Sequence, residues 1–254
     1  MSLWHGSKVN VFRVHFSLGK EFTPQLDLWI TDAINMGALH TLDINLSFGL
    51  HPYCEAYYGN HEKLYDFPSR LLTKEKFSTT DPNIDISKLK YLAIVDCERL
   101  RGININGAVE LNEFFFAGKH EYCAFKNVPK LVNVSFNCNT DDDYDGVLDV
   151  LTKFGHPLPQ LEILNLHGRT PYIVRSDVIP QAFKVFPNLK YLELAANSFD
   201  NDILWIAYLL KFLPLPEELH LVREDRKPWE ICKPMEIQRW LSREIPKGVQ
   251  LVIL

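Results

Sequence analysis

The sequence predicts an α/β solenoid: a curved parallel sheet on the concave side, with helices and loops on the convex side. Three observations carry that expectation. The first is a six-residue pattern, apolar-x-x-apolar-x-apolar, that recurs as Val11/Val14/Phe16, Leu39/Leu42/Ile44, Leu89/Leu92/Ile94, Leu111/Phe114/Phe116, Leu131/Val134/Phe136, Leu161/Leu164/Leu166 and Leu189/Leu192/Leu194, with a shortened copy at Leu219/Leu221. The second is spacing. The copies start 28, 50, 22, 20, 30 and 28 residues apart, and all steps but one fall near the ~20–29 residues of a leucine-rich repeat. The third is a small polar residue after three of the copies, Cys97, Asn139 and Asn197. The backbone must turn there, and a small side chain bonding to loop backbone pairs groups that would otherwise be buried unsatisfied.

Within each copy the final positions alternate as in a short strand, the named apolar residues pointing inward and their neighbours outward. After the first strand, residues 24–36 place Leu26, Trp29, Ile30 and Ala33 at helical spacing, which predicts a helix crossing the convex side. Residues 49–88 hold tyrosines and prolines but no clean pattern. They are an irregular insertion or a shortened stretch of repeats, read here as an open connection, because Pro52, Gly59, Asn60, His61, Glu62 and Lys63 break any continuous apolar face. Three later strands are entered through Pro129-Lys-Leu131, Pro159-Gln-Leu161 and Pro187-Asn-Leu189, where proline fixes the approach and cannot extend a helix. Residues 145–154 and 199–213 read as further convex helices, the latter stopped by Pro214. Residues 222–254 close the array as a cap, with a helix near Trp240 and a last strand from Val249. The expected organisation is one leucine-rich-repeat array over residues 1–254.

Composition narrows the function classes. The chain has 254 residues, is 46% hydrophobic and 23% charged, and carries a formal charge of −5. No Lys/Arg run stands out, so a nucleic-acid or anionic-membrane footprint is missing. Five scattered cysteines form no C-x-x-C pair, and there is no apolar leader or membrane-length apolar run. Those observations favour reduced thiols in the cytoplasm or nucleus. Asp141-Asp-Asp143-Tyr-Asp145-Gly146 matches the first half of a calcium loop. Position 12 is Thr152 rather than a bidentate Glu, so the segment reads as an acidic loop at a helix start and no metal or cofactor is expected. No nucleophile elbow, metalloprotease motif or phosphate-cradling loop is found, and no enzyme is expected.

The residues resemble a known family. Gly6 to Phe16, Leu28-Trp29-Ile30, Leu39 to Ile44, Tyr65-Asp-Phe67-Pro68-Ser69-Arg-Leu71-Leu72, Leu89 to Leu100, Leu111 to Gly118 and Pro187 to Leu194 look like the repeat region of plant F-box/leucine-rich-repeat proteins of the FBD type. The resemblance implies that the repeats recruit a protein for ubiquitination. In that family an F-box helix bundle docks onto the Skp adaptor of a cullin-based ligase. No such segment stands ahead of Gly6, and further repeats usual after the motif at Tyr65–Leu72 are missing, so adaptor binding is not expected.

Functional weight then falls on the outward neighbours in each strand. The candidates for protein binding are Arg13, His15, Asp43, Tyr91, Glu113, Phe115, Asn165, His167, Tyr191, Glu193, Glu218 and His220, together with Thr41, Asn133 and Ser135. Tyr91, Phe115 and Tyr191 are the most telling, since exposed aromatics are enriched at contact hot spots, although ordinary cross-strand pairs would look the same. The leading reading is a protein-interaction module that recruits a partner, as a possible ubiquitination substrate. An alternative is a small-molecule-sensing receptor domain in which Tyr53, Tyr57, Tyr58 and Tyr65 wall a pocket over the sheet, or an inactive truncated remnant.

Overall fold

The computed structural model describes residues 8–15, 20–46, 65, 67, 85–95, 97, 102–118, 122–137, 158–168, 186–196, 216–223 and 248–253. They form an α/β architecture dominated by parallel strands. The chain divides into two compact units, Met1–Leu131 and Val132–Leu254.

In the first unit, β1 (Val11–His15) leads through a 3-10 turn at Lys20–Phe22 into α1 (Thr23–Asn35), followed by β2 (Thr41–Asn45), β3 (Tyr91–Val95), β4 (Gly102–Asn106), β5 (Glu113–Ala117) and β6 (Tyr122–Lys126). Strands β1, β2, β3 and β5 lie side by side in that order, all parallel. Their register aligns Phe12, Leu42, Leu92 and Phe114 in one row and Val14, Ile44, Ile94 and Phe116 in the next. All eight side chains are buried. Helix α1 joins two adjacent parallel strands and so crosses one face of the sheet. Its stripe Leu26, Ile30, Ala33 and Ile34 is buried too, which places the core between helix and inward rows. Trp29, expected in that stripe, is only half-buried. The helix ends where Gly37 takes φ +65°, its N–H donating to the Ile34 carbonyl at 2.9 Å. A left-handed residue here is cheap only for glycine.

The second unit contains β7 (Asn133–Asn137), β8 (Ile163–His167), β9 (Tyr191–Ala196), β10 (Glu218–Arg223) and β11 (Gln250–Ile253), parallel and adjacent in that order. One inward row runs Val134, Leu164, Leu192, Leu219 and Leu251, the next Phe136, Leu166, Leu194, Leu221 and Ile253. Strand β11, expected as part of a cap, continues this ladder in the same register.

The copies share one entry turn. Leu89, Leu111, Leu131, Leu161 and Leu189 each donate their N–H to the carbonyl three residues back, at Ile86, Ala108, Val128, Leu158 and Phe186. Those five residues are buried, so each turn is anchored at both ends. Pro129, Pro159 and Pro187 occupy the second turn position, for which their fixed φ is suited. Immediately afterwards two successive N–H groups converge on one carbonyl of the preceding strand entry, as Lys90 and Tyr91 do on His40, and Lys190 and Tyr191 on Glu162. Cys97, the predicted polar position, is buried with its thiol 3.8 Å from the Val95 carbonyl, whereas Asn139 and Asn197 lie outside the described residues.

Three expectations are corrected. The hexad of the first copy slips by two residues: Phe12 and Val14 point inward, whereas Val11 faces out and is 50% exposed. A two-residue slip keeps the strand's faces, so Arg13 and His15 remain outward. Second, the return segments around β5 are not helices or loops. Strands β4 and β6 pair with each other in parallel, with Ile103, Ile105 and Phe125 buried and the Phe125 ring edge-on to Phe114 at 5.3 Å. A strand advances about 3.3 Å per residue against 1.5 Å for a helix, so it spans the return with fewer residues, as steps of 22 and 20 require. Third, residues 49–88 are not simply an open connection, because Tyr65 and Phe67 are buried and touch edge to face. The remaining tyrosines of that segment, the acidic loop 141–146, and the helices expected at 145–154, 199–213 and near Trp240 lie outside the described residues.

Candidate functional site

Strand alternation gives each unit an outward row of side chains. In the first unit, Arg13 of β1 stands opposite Asp43 of β2, and Tyr91 of β3 opposite Glu113 of β5. The Asp43 carboxylate lies 2.7 Å from His15 Nε2 and 3.5 Å from Arg13 Nε, both to Oδ2. Its side chain is only 13% exposed, so this candidate is enclosed by its two basic neighbours while Arg13 and His15 stay open. Burial, then the nearby Asp43 and Glu113 carboxylates, hold the Tyr91 phenol above its ordinary pKa, and the Arg13 charge opposes them. Glu113 is exposed, and Phe115 and Thr41 half-buried.

The second unit gathers more of the candidates. Asn165 donates its amide to Ser135 Oγ at 2.8 Å. The Tyr191 hydroxyl donates to Glu193 Oε2 at 2.8 Å, and His167 Nε2 lies 2.9 Å from Glu193 Oε1. His220 Nε2 lies 3.2 Å from Glu218 Oε2, and its ring is 4.7 Å from that of Tyr191. The residues therefore form one connected run, His167–Glu193–Tyr191–His220–Glu218. Burial first, then the hydrogen bond to Glu193 and the Glu193 and Glu218 charges, push the Tyr191 phenol up to about 12. The Asn133 side-chain oxygen is buried with no hydrogen-bond partner among the described residues.

The sequence pattern missed Val11, masked by the slipped hexad, and Ile163, Gln250 and Val252, outward positions that the register assigns to the same rows. Their signal was available as the residue one place before an inward apolar residue, Phe12, Leu164, Leu251 and Ile253. Tyr65, a candidate pocket wall over the sheet, instead donates its hydroxyl to Asp27 Oδ1 of α1 at 2.6 Å. Among the described residues no group of three or more His, Cys, Asp or Glu is arranged to hold a metal ion, and no helix is long and apolar enough to cross a membrane.

Compared with family models, curated proteins and solved structures, the chain matches none.

Proposed function

We propose that this chain is a protein-interaction module of the leucine-rich-repeat type, a solenoid that presents its outward sheet face to a partner protein in the cytoplasm or nucleus. One observation carries the reading. Parallel sheets normally have both faces covered, yet here the inward rows of β1, β2, β3, β5 and β7 to β10 are buried while the outward rows stay partly open, with Arg13, His15 and Glu113 exposed and Tyr91, Tyr191 and Glu193 half-buried. Aromatic and paired charged groups held on registered strands suit a contact surface, since little side-chain freedom remains to be lost on binding. The resemblance to F-box/leucine-rich-repeat proteins adds that the partner is a candidate for ubiquitination.

The test is affinity purification from source tissue, with and without a proteasome inhibitor. Wild type is compared with Tyr91→Ala/Phe115→Ala, with Tyr191→Ala/Glu193→Ala, and with Leu28→Ala on the exposed side of α1 as a control. Specific partners should be lost with either face variant, retained with Leu28→Ala and enriched by the inhibitor. A captured set that ignores both face variants would sink the proposal.

A further inference from the structure

The two units treat the carboxylates on their outward faces differently. In the first, the His15–Asp43 pair has a guanidinium beside it, Arg13 Nε lying 3.5 Å from the same Asp43 oxygen that His15 approaches at 2.7 Å. In the second, Glu193 is paired with His167 at 2.9 Å and Glu218 with His220 at 3.2 Å. Among the described residues no guanidinium accompanies these two carboxylates. Among the described outward positions of β7 to β11 there is neither Lys nor Arg, so two carboxylates share a face whose sole basic groups are histidines. Both remain reachable, the Glu218 side chain being 47% exposed and that of Glu193 21%. The Tyr191 ring stands with them, its hydroxyl on Glu193 and its strand position opposite Glu218.

We propose that this face receives an arginine side chain from an extended segment of a partner protein, its guanidinium seated against Glu193 and Glu218 and over the Tyr191 ring. The proposal rests on reading the face as a protein-binding surface and names the chemistry of the partner. Charge complementarity favours a cation, and the arrangement favours arginine over lysine. A guanidinium is planar, offers several N–H donors to two carboxylates at once and stacks on an aromatic ring, whereas an ammonium is a compact, strongly hydrated point charge. The Arg13–Asp43–His15 cluster is the chain's own example of a guanidinium beside a histidine–carboxylate pair. The adjacent Asn165–Ser135 pair supplies amide and hydroxyl groups for the backbone that carries the arginine.

The experiment titrates the 15N-labelled full chain with an acetylated, amidated pentapeptide, Gly-Ser-Arg-Ser-Gly, and with versions carrying lysine or the neutral isostere citrulline at the centre. The arginine peptide should shift the amides of β9 and β10 at low-millimolar concentration, more tightly than the lysine peptide, and citrulline should not bind. Glu193→Gln/Glu218→Gln should weaken binding at least about fivefold, equivalent to roughly 1 kcal/mol, and Tyr191→Leu should weaken it too, while Glu110→Gln, a carboxylate of the other unit paired with Lys130 away from the outward rows, leaves it unchanged. The amide spectrum reports folding of each variant, and should the double variant unfold, the two single Glu→Gln variants are read instead. No binding of the arginine peptide, equal binding of the lysine or citrulline peptide, or binding undiminished by loss of the carboxylates would overturn the proposal. If proteins are still captured through the Tyr191 face in that event, only the arginine assignment falls; if none is captured, the protein-binding reading falls as well.

Discussion

Replacing Leu192 by alanine should destabilise the second unit far more than Tyr191→Phe, and clearly more than Tyr191→Ala, at its neighbour in β9. Leu192 is 1% exposed and stands in the inward row between Leu164 and Leu219. The substitution removes three buried carbons, worth about 0.8 kcal/mol each by transfer, or roughly 2.4 kcal/mol. The space left among Leu164, Leu219 and the next inward row does not close fully, and the cavity raises the expected loss to roughly 3–4 kcal/mol. Tyr191→Phe removes one hydroxyl from a half-buried outward ring, with its 2.8 Å bond to Glu193, and should cost only about 0.5–1.5 kcal/mol. Urea unfolding followed by far-UV circular dichroism separates the two. The Leu192→Ala midpoint should fall clearly at an unchanged slope, because the surface exposed on unfolding is nearly the same. Equal destabilisation by Leu192→Ala and Tyr191→Ala would refute the assignment of inward and outward faces, and with it the candidate surface.

Two further outcomes are expected. The Tyr191 phenol should ionise near pH 12 rather than 10.0, seen as the 295 nm tyrosinate signal missing from Tyr191→Phe, and Glu193→Gln should lower that midpoint by removing one of its causes; because the folded state holds this proton more tightly, the stabilising contribution is complete below pH 10.0 and is lost as pH rises towards about 12. A Glu193→Gln midpoint equal to wild type would argue against the Tyr191–Glu193 contact. Tyr65→Ala should cost roughly 3–5 kcal/mol and Tyr65→Phe only about 1 kcal/mol, since the ring is fully buried and the smaller change removes the hydroxyl that bonds to Asp27; a neutral Tyr65→Ala in thermal unfolding would show that residue 65 is no part of the core.

Much of the strand pattern was legible because a parallel ladder writes itself into sequence. Strands β2, β3, β5 and β7 to β10 bury the residues that the alternation names, and each entry turn needs an apolar residue, a turn former and a leucine at fixed offsets. Residues 86–92, 128–134, 158–164 and 186–192 satisfy that local rule without reference to the rest of the chain. The first copy was misplaced because Val11, Val14 and Phe16 satisfy the same spacing as Val9, Phe12 and Val14. Strands β4 and β6 escaped notice because Ile103 and Ile105 form a short alternation that a repeat reading assigns to the connection. Tyr65 and Phe67 were read as connection residues because burial of an aromatic flanked by turn formers depends on a distant partner, here Asp27 of α1, 38 residues away.

By itself the sequence determined most of the inward rows and the apolar residue that enters each strand, since both follow from periodicity within a few residues, while the first copy's register and the outward Val11, Ile163, Gln250 and Val252 escaped it. Only the tertiary structure decided what the outward residues do to one another. Asp43 is enclosed by His15 and Arg13, while Glu193 and Glu218 meet histidines and a tyrosine with no lysine or arginine beside them among the described residues. The physical reason is distance along the chain. Side chains 26 to 30 residues apart, such as His167 with Glu193 and Ser135 with Asn165, become neighbours only once the parallel ladder brings their strands side by side, and no local pattern records which charge will stand opposite which.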